Sequence, residues 1–140
     1  MSNETSAAKP PLVERLGGEA GIRQWVDRFY DAVPDDPVLA PLFPEDLTVS
    51  REKQGAYFLE FFGGPPAYSQ TFGRPFMRYL HRNVKIGQAE RDAWMEGMMA
   101  ALRAEQNDAE LLGAVAERLG PMATQMINHH PARKDSYFFN

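Results

Sequence analysis

The run Gly63-Gly64-Pro65-Pro66 constrains this chain more than any other feature, because no regular element crosses it. Glycine takes up left-handed turns freely, and proline lacks the N–H that a continuing helix needs. On its N-terminal side Ser50, Gln54, Tyr57, Phe58 and Phe61 recur at steps of three and four, the spacing of one helical face. A helix is therefore expected from about Val49 to Phe62, with Thr48 or Ser50 as its N-cap. Beyond the break, residues Ala67 to Pro75 are expected to form a loop, and Phe76 to Arg82 a short helix.

The same punctuation recurs along the chain. Ile22, Val26, Phe29, Tyr30 and Val33 share a helical face, Gly17-Gly18 supplies a sharp turn before it, and Pro34 and Pro37 end it. A short turn over Val38 to Phe43 follows, and Pro44-Glu45-Asp46 breaks the chain again. Gly87 precedes a long helix over about Gln88 to Ala104, with Asn107-Asp108 as break and cap. A last helix is expected from about Ala109 to Asn128, striped by Leu111, Val115, Leu119 and Met122, with Gly120-Pro121 kinking it or ending its first half. Strand-like alternation is almost absent. The pattern reads as one all-α domain over residues 12–130, after a disordered lead-in at 1–11 and before a basic, then aromatic, tail at 131–140.

A chain of 140 residues builds one hydrophobic core. Its net charge of −4 speaks against a nucleic-acid partner, which is gripped by a basic face. No apolar run approaches the roughly 20 residues that span a bilayer, and the opening MSNETSAAKPPLVERL lacks the apolar core of a signal peptide. A cytoplasmic setting, free of membrane, is expected. Without cysteine there is no disulfide, thiolate nucleophile or zinc–thiolate site.

The only histidines are His81, His129 and His130, too few for a metal centre built from several imidazoles; a cofactor that brings most of its own ligands, such as haem, needs just one. His129 and His130 sit near a helix C-terminus, where positive charge suits the helix dipole. His81 stands in the short helix beside Phe76, Met77, Tyr79 and Leu80. Local pattern alone leaves its role open between hydrogen-bonded or surface residue and ligand. It equally leaves Tyr57, Phe58, Phe61 and Trp94 as ordinary core aromatics, Lys53 as a solvated charge and Ser50 as a cap.

Six short motifs bear on these alternatives: LGG at 16–18, RFY at 28–30, LFPEDL at 42–47, FFGGPPAY at 61–68, RYLH at 78–81 and ERDAWM at 90–95. In this order and spacing, over about Leu12 to Asn128, the chain resembles the truncated haemoglobins, specifically their second group. The resemblance implies an all-α truncated globin fold, a two-over-two helical sandwich around haem b (iron protoporphyrin IX), with His81 as the proximal iron ligand. It implies Tyr30 and Trp94 as donors to a bound ligand, with Ser50 and Gln54 at the distal-helix positions facing the iron. Phe43, Tyr57 and Phe58 would pack on the porphyrin, Tyr68 near its proximal side, and Lys53 and Arg78 would meet the propionates. Leu80 departs from the family pattern, in which arginine commonly precedes the proximal histidine, so Arg78 or Arg82 becomes the expected substitute. The implied function is reversible binding of O₂ and other diatomic ligands by a monomer or homodimer. The alternatives are peroxide or nitric-oxide chemistry driven by an external reductase, and a haem-based gas sensor.

Overall fold

The computed structural model describes residues 9–130; the expectations for residues 1–8 and for the tail at 131–140 lie outside them. The described residues contain α1 (Leu12–Arg15), α2 (Gly18–Ala32), α3 (Thr48–Phe61), α4 (Ala67–Phe72), α5 (Met77–Leu80), α6 (Gln88–Glu105) and α7 (Ala109–Gln125). Two 3₁₀ turns, Val33–Asp35 and Ala40–Leu42, join α2 to α3, and no strand occurs among these residues.

Helix α2 packs on α3, α6 on α7, and α2 also crosses α6. Arg51 at the start of α3 pairs with Asp27 at 3.1 Å and Asp31 at 2.7 Å near the end of α2, so this pair is antiparallel. Arg91 at the start of α6 donates to Gly120 O at 3.1 Å and Thr124 Oγ1 at 3.2 Å near the end of α7, which makes the second pair antiparallel too. Two antiparallel pairs, one laid on the other, are the expected two-over-two sandwich.

Between the layers lie Ile22, Trp25, Phe29, Phe58, Phe62, Met98 and Leu119, all fully buried. Each such side chain contributes about 1.5–3 kcal/mol by leaving water. Trp25 carries a polar group into this core and satisfies it there: its indole N–H donates to Met98 O at 2.9 Å. That bond also pins α2 to α6, while the Trp25 ring lies 4.9 Å from Phe58 on α3.

The glycine–proline break works as its chemistry requires. Gly63 takes φ of +103°, where a Cβ would be strained, and Gly64 N–H closes α3 onto Leu59 O at 2.8 Å. Four local expectations are corrected. Residues 67–72 are helical rather than loop, because the Glu60 carboxylate, reaching over from α3, accepts from Ser69 N–H at 2.9 Å and Ser69 Oγ at 2.7 Å. The start of α3 is capped by neither Thr48 nor Ser50: Asp46 Oδ1 accepts from Thr48 N–H at 3.0 Å. Pro121 does not end α7, which runs on to Gln125 but stops short of Asn128. Finally, Leu12–Arg15 is a single helical turn with no expected counterpart, tied to the end of α3 by Val13 N–H on Phe62 O at 3.1 Å.

Candidate functional site

His81 follows α5 as its C-terminal flanking residue. Its Nδ1 lies 2.7 Å from Met77 O. A carbonyl oxygen only accepts, so Nδ1 carries a proton and Nε2 is the nitrogen left to bind a metal. The ring stands on the wall of a cavity of about 390 Å³, flanked by apolar Met77, Leu80, Val84 and Ile86. The remaining wall gathers Tyr30 from α2, Phe43 from the loop before α3, Ser50, Lys53, Gln54 and Tyr57 from α3, Tyr68 from α4 and Trp94 from α6, with Met122 and Met126 closing it. The size and the mainly apolar lining with a few polar atoms are those of a cofactor or ligand site.

The polar atoms are left available. Tyr30 is 2% exposed and packed edge-on against Phe29, at 4.9 Å, and Phe43, at 5.5 Å. Trp94 packs against Phe29 and Phe58, each at 6.2 Å. Among the described residues neither the Tyr30 hydroxyl nor the Trp94 indole N–H has a hydrogen-bond partner, yet no side-chain polar atom is sealed in without one. Both groups therefore open onto the cavity. Burial pushes the Tyr30 phenol far above its usual value of 10.0, against a smaller downward pull from Arg51, so the hydroxyl keeps its proton and remains a donor.

The cations divide sharply. Lys53 holds its ammonium 5.4 Å over the Phe72 ring at the edge of the cavity. Arg51 is committed to Asp27 and Asp31. Arg82 lies 3.8 Å over Tyr79 and donates to Tyr79 O at 2.8 Å. Arg91, which the sequence reading gave no site role, reaches the wall and is held there by Gly120, Thr124 and Asp92.

A family model for the bacterial-like globins matches residues 11–128, a span that holds the whole wall just described. The chain belongs to that family, in the second group of truncated haemoglobins. A group 2 truncated hemoglobin from Bacillus subtilis is 34% identical to this globin, over 85% of this chain and 90% of that one. Among solved structures, the hemoglobin of the thermophilic bacterium Chloroflexus aurantiacus superposes with a TM-score of 0.80 at 39% identity, over 86% of this chain and 100% of the other. The group II truncated hemoglobin of Bacillus anthracis gives a TM-score of 0.84 at 31% identity, over 91% and 98%.

Of the residues expected at the site, the globin's cavity gathers His81, Tyr30, Trp94, Gln54, Ser50, Phe43, Lys53, Tyr57 and Tyr68. It does not gather Phe58 or Arg78. Phe58 is fully buried behind the wall, between Trp25, Phe62 and Trp94, because its position on α3 turns it to the core rather than the cavity. Arg78 is exposed on α5 and off the wall. Sequence reasoning missed Arg91, whose position in the first turn of a helix carries no signal of its own, and Ile86, in the loop after His81.

Proposed function

We propose that this globin binds haem b through His81 Nε2 and, on the haem, reversibly binds O₂ and other diatomic gases. The observation that carries the reading is the state of His81: its Nδ1 proton is fixed on Met77 O, and its other nitrogen is free at the wall of a cavity with two unpartnered donors. The donor set fits the group. One neutral imidazole suffices for a porphyrin that supplies the other four nitrogens, the apolar lining suits its faces, and Lys53 offers a cation for a propionate. Bound haem would supply the iron at which a small gas is held.

The chain's own part is to orient and retain. Met77 O fixes the tautomer and rotation of the His81 ring, as a second carboxylate or carbonyl does for metal-binding histidines generally. Tyr30 and Trp94 offer hydrogen bonds to a ligand that takes on negative charge, and Gln54 adds an amide able to donate or accept. Methionines and aromatics give much of the wall an apolar surface, which strengthens hydrogen bonds made against it. A pocket so furnished releases its ligand slowly, in keeping with the description of a related Bacillus subtilis protein as an oxygen-avid haemoglobin. The test is the visible spectrum of purified protein given haem. A Soret band with histidine-ligated ferrous features, lost or altered in His81→Ala, is expected; an alanine variant with the unaltered axial spectrum overturns the assignment.

A further inference from the structure

We infer that Asn128 is a positioning residue for His81, holding the loop that carries the iron-binding imidazole from a place 47 residues away in the chain. The inference rests on the haem reading above and adds to it. Helix α7 stops at Gln125, and the next residues turn away to meet the segment between His81 and α6. Ile127 is buried and seats this turn.

Five hydrogen bonds then join the exposed Asn128 and the adjoining His129 N–H to the segment from His81 to Ile86. Asn128 N–H and His129 N–H both donate to Ile86 O, at 2.8 and 3.0 Å. Ile86 N–H donates to Asn128 Oδ1 at 2.9 Å. Asn128 Nδ2 donates to His81 O at 3.1 Å and to Val84 O at 2.8 Å. The amide can sit only one way round, because its partners on one side are two carbonyls and on the other an N–H. No other side chain satisfies this set: aspartate keeps the Ile86 bond but sets a carboxylate against two carbonyls, and leucine keeps only the shape.

His81 is thus held through its N–H and its ring on Met77 O, and through its carbonyl by Val84 N–H and Asn128. The loop that follows is tied back at its start by Arg82 on Tyr79 and by Val84 N–H on His81 O, and across to the end of α7 by the Asn128 clamp. Loss of the clamp loosens the loop after His81 while the Met77 bonds to its N–H and ring are kept, so a bound iron would be held by a less firmly placed imidazole rather than by none.

The experiment uses the full-length haem-loaded protein and the variants Asn128→Ala and Asn128→Asp, with Asp108→Ala as a control that weakens the start of α7 without touching the loop. The readouts are the iron–imidazole stretching band in the resonance Raman spectrum of the ferrous protein and the rate of haem transfer to an acceptor globin. Both Asn128 variants are expected to shift or broaden the band and to speed haem release by about 10- to 100-fold, as removal of metal-supporting outer contacts does. The control is expected to leave the band in place. Wild-type behaviour in both variants overturns the inference, and so does an aspartate variant that matches wild type while alanine does not. Should the variants fail to fold, the wild-type protein still decides. Its two Asn128 Nδ2 protons are expected to exchange with solvent markedly more slowly than those of a free amide, and free exchange overturns the clamp. A wild-type protein that takes up no haem sinks the haem reading, whereas the amide exchange is still read in the haem-free chain.

Discussion

The Tyr30 hydroxyl gives the sharpest separation between holding the fold and holding the ligand. Its ring is buried and fixed by Phe29 and Phe43, contacts that Tyr30→Phe retains. Its oxygen has no hydrogen-bond partner among the described residues, so its removal orphans no buried donor or acceptor, and that orphaning is what makes such changes costly. The fold is therefore expected to lose no more than about 0.5 kcal/mol, and the phenylalanine variant melts within a few degrees of wild type. The ligand loses a donor. A hydrogen bond to a charged partner contributes about 1.5–3 kcal/mol, which converts to roughly 10- to 150-fold faster O₂ dissociation. Stopped-flow displacement of O₂ measures the second quantity and thermal unfolding the first. Dissociation within twofold of wild type, or a stability loss above about 2 kcal/mol, refutes the placement of this hydroxyl as a free donor into the cavity.

Trp94→Phe is expected to speed O₂ release in the same sense, and the double variant with Tyr30→Phe to fall short of the product of the two effects if both donate to one ligand; a full product in the same assay separates them. Because burial raises the Tyr30 pKa, the folded state holds its proton while the unfolded chain releases it. The stability from this group is therefore complete below about pH 10 and lost as the pH climbs beyond it. Spectrophotometric titration should show equal tyrosinate absorbance for wild type and Tyr30→Phe while both remain folded. Glu60→Ala removes the acceptor for Ser69 and is expected to cost about 1 kcal/mol, with amide exchange rising in α4 before the rest of the molecule. Lys53→Met is expected to hasten haem release by no more than about fivefold, since an exposed ion pair contributes about 0–1 kcal/mol, and the effect should shrink in high salt.

What was legible in the sequence was whatever a residue decides with its near neighbours. Gly63 ends α3 by its own backbone freedom, and Asp108 caps α7 by reaching two and three residues ahead; both act within one turn. His81, Tyr30 and Trp94 were legible through family resemblance, because their spacing alone does not separate a cavity wall from a core. What stayed hidden depends on partners distant in the chain. The helix at 67–72 exists through a carboxylate from α3, and Phe58 faces the core because Trp25 and Phe62 are there to receive it. Asn128 belongs to this second class in the extreme. Read along the chain it stands at the expected end of the last helix. In the folded protein its amide finds three partners between His81 and Ile86, and those bonds take the place of the helical ones it gives up. The helix thus ends where the Asn128 side chain is used by the loop after His81 rather than by its own helix, so a contact 42 to 47 residues away in the chain sets the boundary of α7.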